Sequence, residues 1–235
     1  MSVLNETPAS GLTALEDCGA FLIGSCLPDE ARALASQAGQ RARVLSPAEE
    51  AHYLRLRCEK RRLDWLAGRL AAKRALSRYF RQVERRALDL AVIEISSDAQ
   101  GAPLCSAQGA PSFSISHCAA GGLCAVGLAG RRVGADWEMV APRSRDLARL
   151  FARPGELPPG PDDARRQTRL WAVKEAVLKL LGLGLACPPR DVATVPQLSF
   201  HGRARERWDG LGSPRISQVV TEPGGSIAAV VYTGD

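Results

Sequence analysis

The sequence predicts an α+β protein built from two similar-sized halves that pack together. A block of helical pattern followed by short strands occurs twice, and the two blocks meet at a turn near Gly130. The 235 residues suffice for one large domain or two small ones. We therefore expect an N-terminal half over 1–130 and a C-terminal half over 131–235.

In the N-terminal half, the clearest local signal is a helix start at Ser46–Glu49, with Ser at the N-cap, Pro at the first helical position and Glu at the third. Gly68 lies inside the helical pattern that follows, which suggests the close approach of another backbone. The predicted elements are a strand around 20–23, a helix from Pro28 through Gln40, a helical stretch from Ser46 toward Phe80 with a break near Cys58, and strands over 91–96, 113–116 and 122–129. The residues between 97 and 111 are predicted to form a loop.

The C-terminal half repeats the pattern in the order strand, helices, strands. Its strongest element is an amphipathic helix over about 164–181, which Gly182 ends as a natural C-cap. The other predicted elements are a strand over 132–139, a helix over 144–152, a Pro/Gly loop over 154–163, and strands near 198–200, 215–221 and 227–233.

Composition indicates a soluble globular protein. Hydrophobic residues make up 46% of the chain and charged residues 24%. No stretch approaches 18 consecutive apolar residues, and the N-terminus carries no basic residue before its apolar run. We expect neither a membrane span nor a secretory signal. The seven cysteines form no C-x-x-C pair, so we expect free thiols and a cytoplasmic protein.

The chain is basic, with a net charge of +6 and a pI of about 9.2. A basic surface favours acidic partners, and nucleic acid, a polyphosphate ligand and an acidic protein all qualify. Composition does not choose among them.

Two acids alternate in the predicted strand G-A-D-W-E. Residues two apart on a strand point to the same side, so Asp136 and Glu138 would project together. Paired carboxylates repel each other, and a divalent cation such as Mg²⁺ would relieve that repulsion. The alternative is a solvated edge strand that alternates by chance.

The predicted helix W-A-V-K-E-A-V-L-K carries a second group of charges. Trp171, Lys174, Glu175 and Lys179 lie on the side opposite its apolar face. An ordinary amphipathic helix with one ion pair between Glu175 and Lys179 explains the charges equally well. Trp171 on the polar side, however, needs something to pack against.

A strand F-S-I-S-H brings Ser116 and His117 to a turn. Adjacent strand residues face opposite sides, so phosphate binding suits this pair better than a nucleophile–base arrangement. The helical stretch before it carries Arg61, Arg62 and Arg69, a set suited to a phosphate or to a solvated basic face.

Taken in order, these motifs resemble the 4′-phosphopantetheinyl transferases of the larger, two-half, surfactin-synthetase-activating type. The ordered set is R-R-L-D-W-L-A-G-R, Q-G-A-P, F-S-I-S-H, G-A-D-W-E and W-A-V-K-E-A-V-L-K, from about Ser46 to Gly184. The resemblance implies two pseudo-symmetric α+β halves with coenzyme A in the cleft between them. It also implies a monomer that transfers the 4′-phosphopantetheine arm to a serine of an apo carrier protein, releasing adenosine 3′,5′-bisphosphate.

The resemblance also implies a role for each matching position. The metal ligands would be Asp136, Glu138 and Glu175. The ion would be Mg²⁺, with Mn²⁺ as the alternative. The catalytic residues would be Glu175 as base, Lys179 at the leaving phosphate, and Asp136. The coenzyme A contacts would be Arg61, Arg62, Arg69, Gly101, Pro103, Ser116, His117, Lys174 and Lys179. Glu156 matches a family glutamate between the two acidic motifs.

Two departures from the family pattern affect the expected site. Ala102 stands where many relatives carry Lys, so one nucleotide contact would be lost or replaced. Trp137 stands where an aliphatic residue is usual, and it would either narrow the metal site or face the core of the other half.

Two other functions remain as alternatives to the transferase. One is a non-catalytic relative that only binds carrier proteins, against which the intact acids argue. The other is a basic nucleic-acid-binding protein, against which the aromatic content of 5% argues.

Overall fold

The structure, a computed structural model, describes residues 11, 12, 15, 19–158, 160 and 163–234, without the side chain of Arg145. Within these ranges the chain is mixed α and β, as the sequence predicts. No helix in the described part of the chain is long and apolar enough to cross a membrane. The six cysteines that it includes are free thiols, and Cys18 lies outside the described residues.

The N-terminal half contains five strands and four helices in the part described. They are β1 (Phe21–Cys26), α1 (Pro28–Ser36), α2 (Ala38–Val44), α3 (Pro47–Arg55), α4 (Glu59–Gln82), β2 (Ile95–Ser97), β3 (Pro103–Cys105), β4 (Phe113–Cys118) and β5 (Gly121–Gly127). An antiparallel sheet has the order β1-β5-β4, and β2 pairs with β3 in a separate hairpin.

The C-terminal half begins with a strand and ends with a hairpin. Its described elements are β6 (Val133–Met139), α5 (Arg145–Phe151), α6 (Asp163–Leu181), β7 (Val192–Ala193), β8 (Ser199–Phe200), α7 (Gly202–Gly210), β9 (Ile216–Thr221) and β10 (Ser226–Thr233). Its antiparallel sheet has the order β6-β10-β9. In each half the first strand therefore pairs with the last strand, which in turn pairs with the strand before it. One long helix, α4 or α6, lies in sequence between the first strand and that final hairpin.

Small residues let each long helix approach its sheet closely. A Cβ added to Gly24 of β1 would lie 2.2 Å from the Ala71 carbonyl oxygen of α4. A Cβ added to Gly134 of β6 would lie 1.9 Å from the Ala176 carbonyl oxygen of α6. The close approach of another backbone expected at Gly68 is confirmed, because a Cβ added to Gly122 of β5 would lie 2.7 Å from the Gly68 nitrogen. Helix α4 packs on the first sheet and α6 on the second.

Besides the core under each long helix, a hydrophobic core lies between the two sheets. It includes Phe21 and Ile23 from β1, Trp137 from β6, and Val230 from β10, all of them buried. The indole N–H of Trp137 donates to Ser226 at 2.8 Å. Of the two positions open to Trp137, the structure therefore selects the core of the other half.

Several predicted boundaries are wrong. The helix expected through Gln40 ends at Ser36, and α2 follows. The strand expected over 91–96 begins only at Ile95, because the Lys73 ammonium donates to the carbonyls of Leu90 and Ile93 at 2.8 and 2.7 Å and holds a turn there. Strand β3 lies in the expected loop, and α7 was not expected. The break between α3 and α4 near Cys58 and the helix end at Gly182 are confirmed.

Candidate functional site

The two sheets meet along β4 and β6 through a row of serine hydroxyls. Ser114 and Ser116 alternate along β4 and Ser112 lies just before it, so the three side chains face the same edge. Each hydroxyl oxygen accepts a backbone N–H from β6, whose outer edge would otherwise be unpaired. The donors are, in order, Val133 at 3.2 Å, Ala135 at 3.0 Å and Trp137 at 3.1 Å. We call this row the serine seam.

Asp136 lies at the end of the serine seam and is only 4% exposed. Its Oδ1 accepts two hydrogen bonds, one from the Ser116 hydroxyl at 2.9 Å and one from the Lys179 ammonium at 2.7 Å. Its Oδ2 is buried and has no hydrogen-bond partner. A buried carboxylate oxygen without a donor is energetically costly, so this atom is a candidate ligand for a cation.

Lys179 joins the two halves at the same point. Its ammonium donates to the Ile115 carbonyl of β4 at 3.4 Å and to the Ala135 carbonyl of β6 at 3.1 Å. Its ion pair is with Asp136 rather than with Glu175, so the ordinary i, i+4 pair considered for this helix is not the arrangement found. The side chain is still 27% exposed, so its charge remains accessible to a ligand.

Glu175 of α6 is 5% exposed, and its Oε1 is buried without a hydrogen-bond partner. Burial, together with the negative charges of Asp136 and Glu138, raises the pKa of Glu175 to about 7 against the opposing effect of Lys179. A carboxyl group with a pKa near neutral can exchange a proton at physiological pH.

Glu138 is held by protein donors instead. One oxygen accepts the indole N–H of Trp171 at 3.1 Å, and the other lies 3.5 Å from the Arg143 guanidinium. Burial raises the pKa of Glu138, as does the nearby Asp136. Trp171 itself packs edge-on against Phe151, with ring centroids 5.3 Å apart. The aromatic residue on the polar side of α6 thus packs against Phe151 and binds an acid.

The fit of a divalent cation can be judged from these acids. Among the described residues, no group of three or more His, Cys, Asp or Glu side chains is arranged to hold a metal ion, so the expected three-acid cluster is not preformed. Asp136 and Glu175 nevertheless each leave one buried oxygen without a donor. Because Mg²⁺ binds through carboxylate oxygens with waters completing its shell, these two residues fit it.

Lys174 does not lie where the resemblance implied. Its side chain is fully buried, and its ammonium lies 2.6 Å from Glu156 and 2.7 Å from the Phe151 carbonyl. A fully buried ammonium cannot reach a diphosphate bound in front of the site. The position is a correction to the expected coenzyme A contact, and it gives both Lys174 and Glu156 a place inside the C-terminal half.

His117 lies where α4 passes β4, and Arg69 follows Gly68 on α4. A Cβ on Gly68 would lie 3.8 Å from the His117 ring. Surrounding protein lowers the pKa of His117, and the positive charges of Lys179 and Lys60 lower it further against the effect of Asp64. Arg69 stacks its guanidinium 5.0 Å from the centre of the Trp65 ring.

The remaining predicted coenzyme A contacts lie on exposed or peripheral segments. Arg61 is exposed, and Arg62 donates to the Leu56 carbonyl. Gly101 and Pro103 belong to the β2–β3 hairpin, where the Ala102 N–H donates to Asp98 at 2.8 Å. This hairpin makes no hydrogen bond or ion pair to Asp136, Glu138, Glu175 or Lys179 among the described contacts. Ser116, by contrast, is 5% exposed and serves the serine seam.

Comparisons with known proteins agree on one family. The 4′-phosphopantetheinyl transferase superfamily matches residues 132–225, which include Asp136, Glu138, Glu175 and Lys179. The holo-[acyl-carrier-protein] synthase of Bacillus subtilis (strain 168) is 38% identical over 96 residues, which cover 37% of this chain and 78% of that protein. The chain belongs to the 4′-phosphopantetheinyl transferase superfamily.

Two further holo-acyl-carrier-protein synthases are similar to part of the chain. The holo-[acyl-carrier-protein] synthase of Nitratidesulfovibrio vulgaris (strain DP4) is 41% identical over 69 residues, 26% of this chain. The match spans only 56% of the length of that relative. A solved holo-(acyl-carrier-protein) synthase from Bacillus anthracis, in complex with CoA (3′,5′-ADP), is 22% identical and covers 46% of this chain and 92% of its own, with a TM-score of 0.38.

Sequence reasoning missed two features of the site. One is the serine seam. Its signal in the sequence is the alternation of Ser112, Ser114 and Ser116, and its partner is the edge of β6 that no other described strand pairs with. The other is Arg143, which holds Glu138 and packs 5.8 Å from the centre of the Trp171 ring. Nothing in the local sequence around Arg143 marks this role.

Proposed function

We propose that this protein is a Mg²⁺-dependent holo-carrier-protein synthase of the two-half, surfactin-synthetase-activating type. It transfers 4′-phosphopantetheine from coenzyme A to a serine of an apo carrier protein and releases adenosine 3′,5′-bisphosphate. The observation that carries the proposal is the pair of buried, unpartnered oxygens on Asp136 and Glu175 beside the Lys179 ammonium. Membership of the superfamily supports the reaction class, and the names of the two synthase relatives support the carrier substrate.

The acids and the lysine divide the chemistry between them. Mg²⁺ held by Asp136 and Glu175 would supply positive charge next to the diphosphate, where negative charge grows in the transition state. Lys179 adds a second positive charge for the leaving phosphate. We assign the Glu175 carboxylate as the base for the carrier serine, because its Oε1 has no hydrogen-bond donor and can accept a proton.

The N-terminal half would bind the nucleotide. Coenzyme A carries three phosphates, and Arg61, Arg62, Arg69 and His117 supply positive charge and hydrogen-bond donors along α4 and β4. Gly101 and Pro103 remain proposed contacts through their hairpin. Lys174 is withdrawn from this set because its ammonium is used by Glu156.

The partners follow from charge and from the division into halves. We place the halves at 1–130 and 131–235 and propose a cytoplasmic monomer, since both halves lie in one chain. The net charge of +6 suits acidic carrier proteins of fatty-acid, polyketide or nonribosomal-peptide synthases. Nucleic acid and membrane are not proposed as partners.

A mass measurement tests the reaction. The full chain is mixed with Mg²⁺, coenzyme A and a panel of apo carrier proteins, and each carrier is weighed by intact-protein mass spectrometry. We expect a gain of one phosphopantetheine group that disappears on chelation and in Glu175→Gln, but persists in Glu206→Gln, an exposed acid of α7. Coenzyme A binding without a mass gain on any carrier, or a gain that survives chelation, would contradict the proposal.

A further inference from the structure

Among the three hydroxyls of the serine seam, only that of Ser116 also contacts an acid of the site. Its oxygen accepts the Trp137 N–H at 3.1 Å, and the hydroxyl donates to Oδ1 of Asp136 at 2.9 Å. A hydroxyl has a single proton to give. Because the backbone N–H holds the oxygen, that proton is directed at the carboxylate.

The two donors on Oδ1 determine how Asp136 is oriented. Ser116 reaches this oxygen from β4 and Lys179 reaches it from α6, so the carboxylate is held from both halves. The other oxygen, Oδ2, is left buried and without a donor. A carboxylate held in this way meets a cation with little reorganisation, since the outer partners of a ligand set its orientation.

We infer that Ser116 is a positioning residue for the cation: it locks Asp136 so that Oδ2 faces the ligand, and so links cation affinity to the docking of the two halves. The inference rests on the proposed function, since it takes Asp136 as a cation ligand. It replaces the nucleotide contact that the resemblance implied for Ser116, because the hydroxyl is buried and both of its hydrogen bonds are internal.

Ser114 is a matched control within the same seam. It is 4% exposed, against 5% for Ser116, and its hydroxyl accepts the Ala135 N–H at 3.0 Å. Its hydroxyl makes no described contact with Asp136, Glu138 or Glu175. Removal of either hydroxyl leaves one N–H of β6 unpaired, and Ser116→Ala also takes a donor from Asp136, so both alanine variants should lose stability. Only the Ser116 variant should lose cation affinity.

Mn²⁺ serves as the probe because its free form is counted directly by electron paramagnetic resonance. The full chain is titrated with Mn²⁺, with and without coenzyme A and always without carrier protein, so that no turnover occurs. We expect Ser116→Ala to weaken Mn²⁺ binding by about 10–100-fold, the usual range for loss of an outer partner of a metal ligand. Ser114→Ala should bind within about twofold of the unaltered chain, and Ser116→Thr, which keeps the hydroxyl, should recover most of the loss.

Several results would overturn the inference. The first is that Ser116→Ala binds Mn²⁺ as tightly as the unaltered chain, or that Ser114→Ala loses as much Mn²⁺ affinity as Ser116→Ala. The second is that the unaltered chain does not bind Mn²⁺. The third is that Ser116→Ala loses affinity for coenzyme A only, and does so in the absence of metal, which would indicate a nucleotide contact. If thermal unfolding shows that Ser116→Ala does not fold, Ser116→Cys replaces it, and its weaker donor should give an intermediate affinity. Failure of the proposed function is separate: the unaltered chain would bind Mn²⁺ and modify no carrier.

Discussion

The two halves of the molecule share a framework and differ in what they place on it. In each, a glycine of the first strand meets the same turn of the long helix: Gly24 lies against Ala71 and Ala75, and Gly134 against Ala176 and Leu180. This contact aligns α4 with α6 and β1 with β6. Equivalent positions in the two halves can therefore be compared residue by residue.

A buried lysine–glutamate clamp occurs in both halves, although its lysine differs in position: the alignment pairs Lys73 with Leu178 and Lys174 with Arg69. In the N-terminal half, Oε2 of Glu49 accepts hydrogen bonds from the Lys73 ammonium at 2.6 Å and from the Ser46 N–H, three residues earlier. The other oxygen of Glu49, Oε1, accepts the Ile95 N–H. In the C-terminal half, Oε2 of Glu156 accepts from Lys174 at 2.6 Å and from the N–H three residues earlier. Its Oε1 accepts the N–H of Thr194. Each clamp ties the segment before the long helix to the segment after it.

The halves differ at the edge where the site lies. Positions equivalent to Asp136 and Glu175 hold Cys26 and Leu70 in the N-terminal half, and both of those are fully buried. The position equivalent to Lys179 holds Arg74, which donates to the Ser25 carbonyl, just as Lys179 donates to the Ala135 carbonyl. The comparison teaches that features common to both halves hold the framework, whereas the acids found in one half are the residues to which we assign the proposed chemistry.

The largest effect should come from removing an acid that only one half contains. We expect Asp136→Asn to lower the transfer rate by about 10³–10⁴-fold, because it removes a cation ligand and the partner of Lys179. Carrier modification under single-turnover conditions measures this. Cys26→Ala, at the equivalent position of the other half, should change the rate by less than about threefold. Comparable losses in the two variants would show that the halves do not differ in function as we propose.

The clamps should behave alike in the two halves. Lys174→Met should lower the free energy of unfolding by about 3–4 kcal/mol, because it leaves Glu156 buried without its cation. Lys73→Met should cost a similar amount through Glu49. Urea unfolding followed by circular dichroism measures both. A Lys174→Met variant as stable as the unaltered chain would contradict a structural role and return this lysine to the ligand site.

The smallest effect concerns pH and Glu175 in the absence of divalent cations. Its pKa of about 7 in the folded chain exceeds the ordinary glutamate value of 4.5, so the folded state binds more protons than the unfolded state between these values. Stability should therefore fall as the pH rises from about 4.5 to 7. Glu175→Gln should remove this fall and be about 1–3 kcal/mol more stable than the unaltered chain at pH 8, with the difference shrinking toward pH 4.5.

Thermal and urea unfolding across this pH range check the prediction, with chelator present throughout. Glu206→Gln, an exposed acid, should follow the unaltered chain at every pH. A Glu175→Gln curve parallel to that of the unaltered chain would show that Glu175 titrates in the ordinary range. Added Mg²⁺ should reduce the advantage of the variant, because it stabilises only the ionised carboxylate.

Short-range sequence signals were enough for the elements that form by local rules. Ser46 accepts the Glu49 N–H at the start of α3, as the capping pattern predicted, and Gly182 ends α6 with a positive φ. Alternation placed Asp136 and Glu138 on one strand, and helical periodicity placed Glu175 and Lys179 one turn apart. The acids and Lys179 of the candidate site could therefore be named from the sequence.

Tertiary structure alone decided which partner each charged group meets. Lys174 and Lys179 both lie outside the apolar stripe of α6, yet one is buried against Glu156 and the other reaches Asp136 at the serine seam. Periodicity specifies the side of a helix, but not the element that covers it. The partners of these lysines are 18 and 43 residues away, so only the packing of α6 against β6 and the segment before it could assign them. The sequence by itself determined the two long helices and the positions of the acids along the chain, and the packing of β4 against β6 and α6 determined how those acids are held.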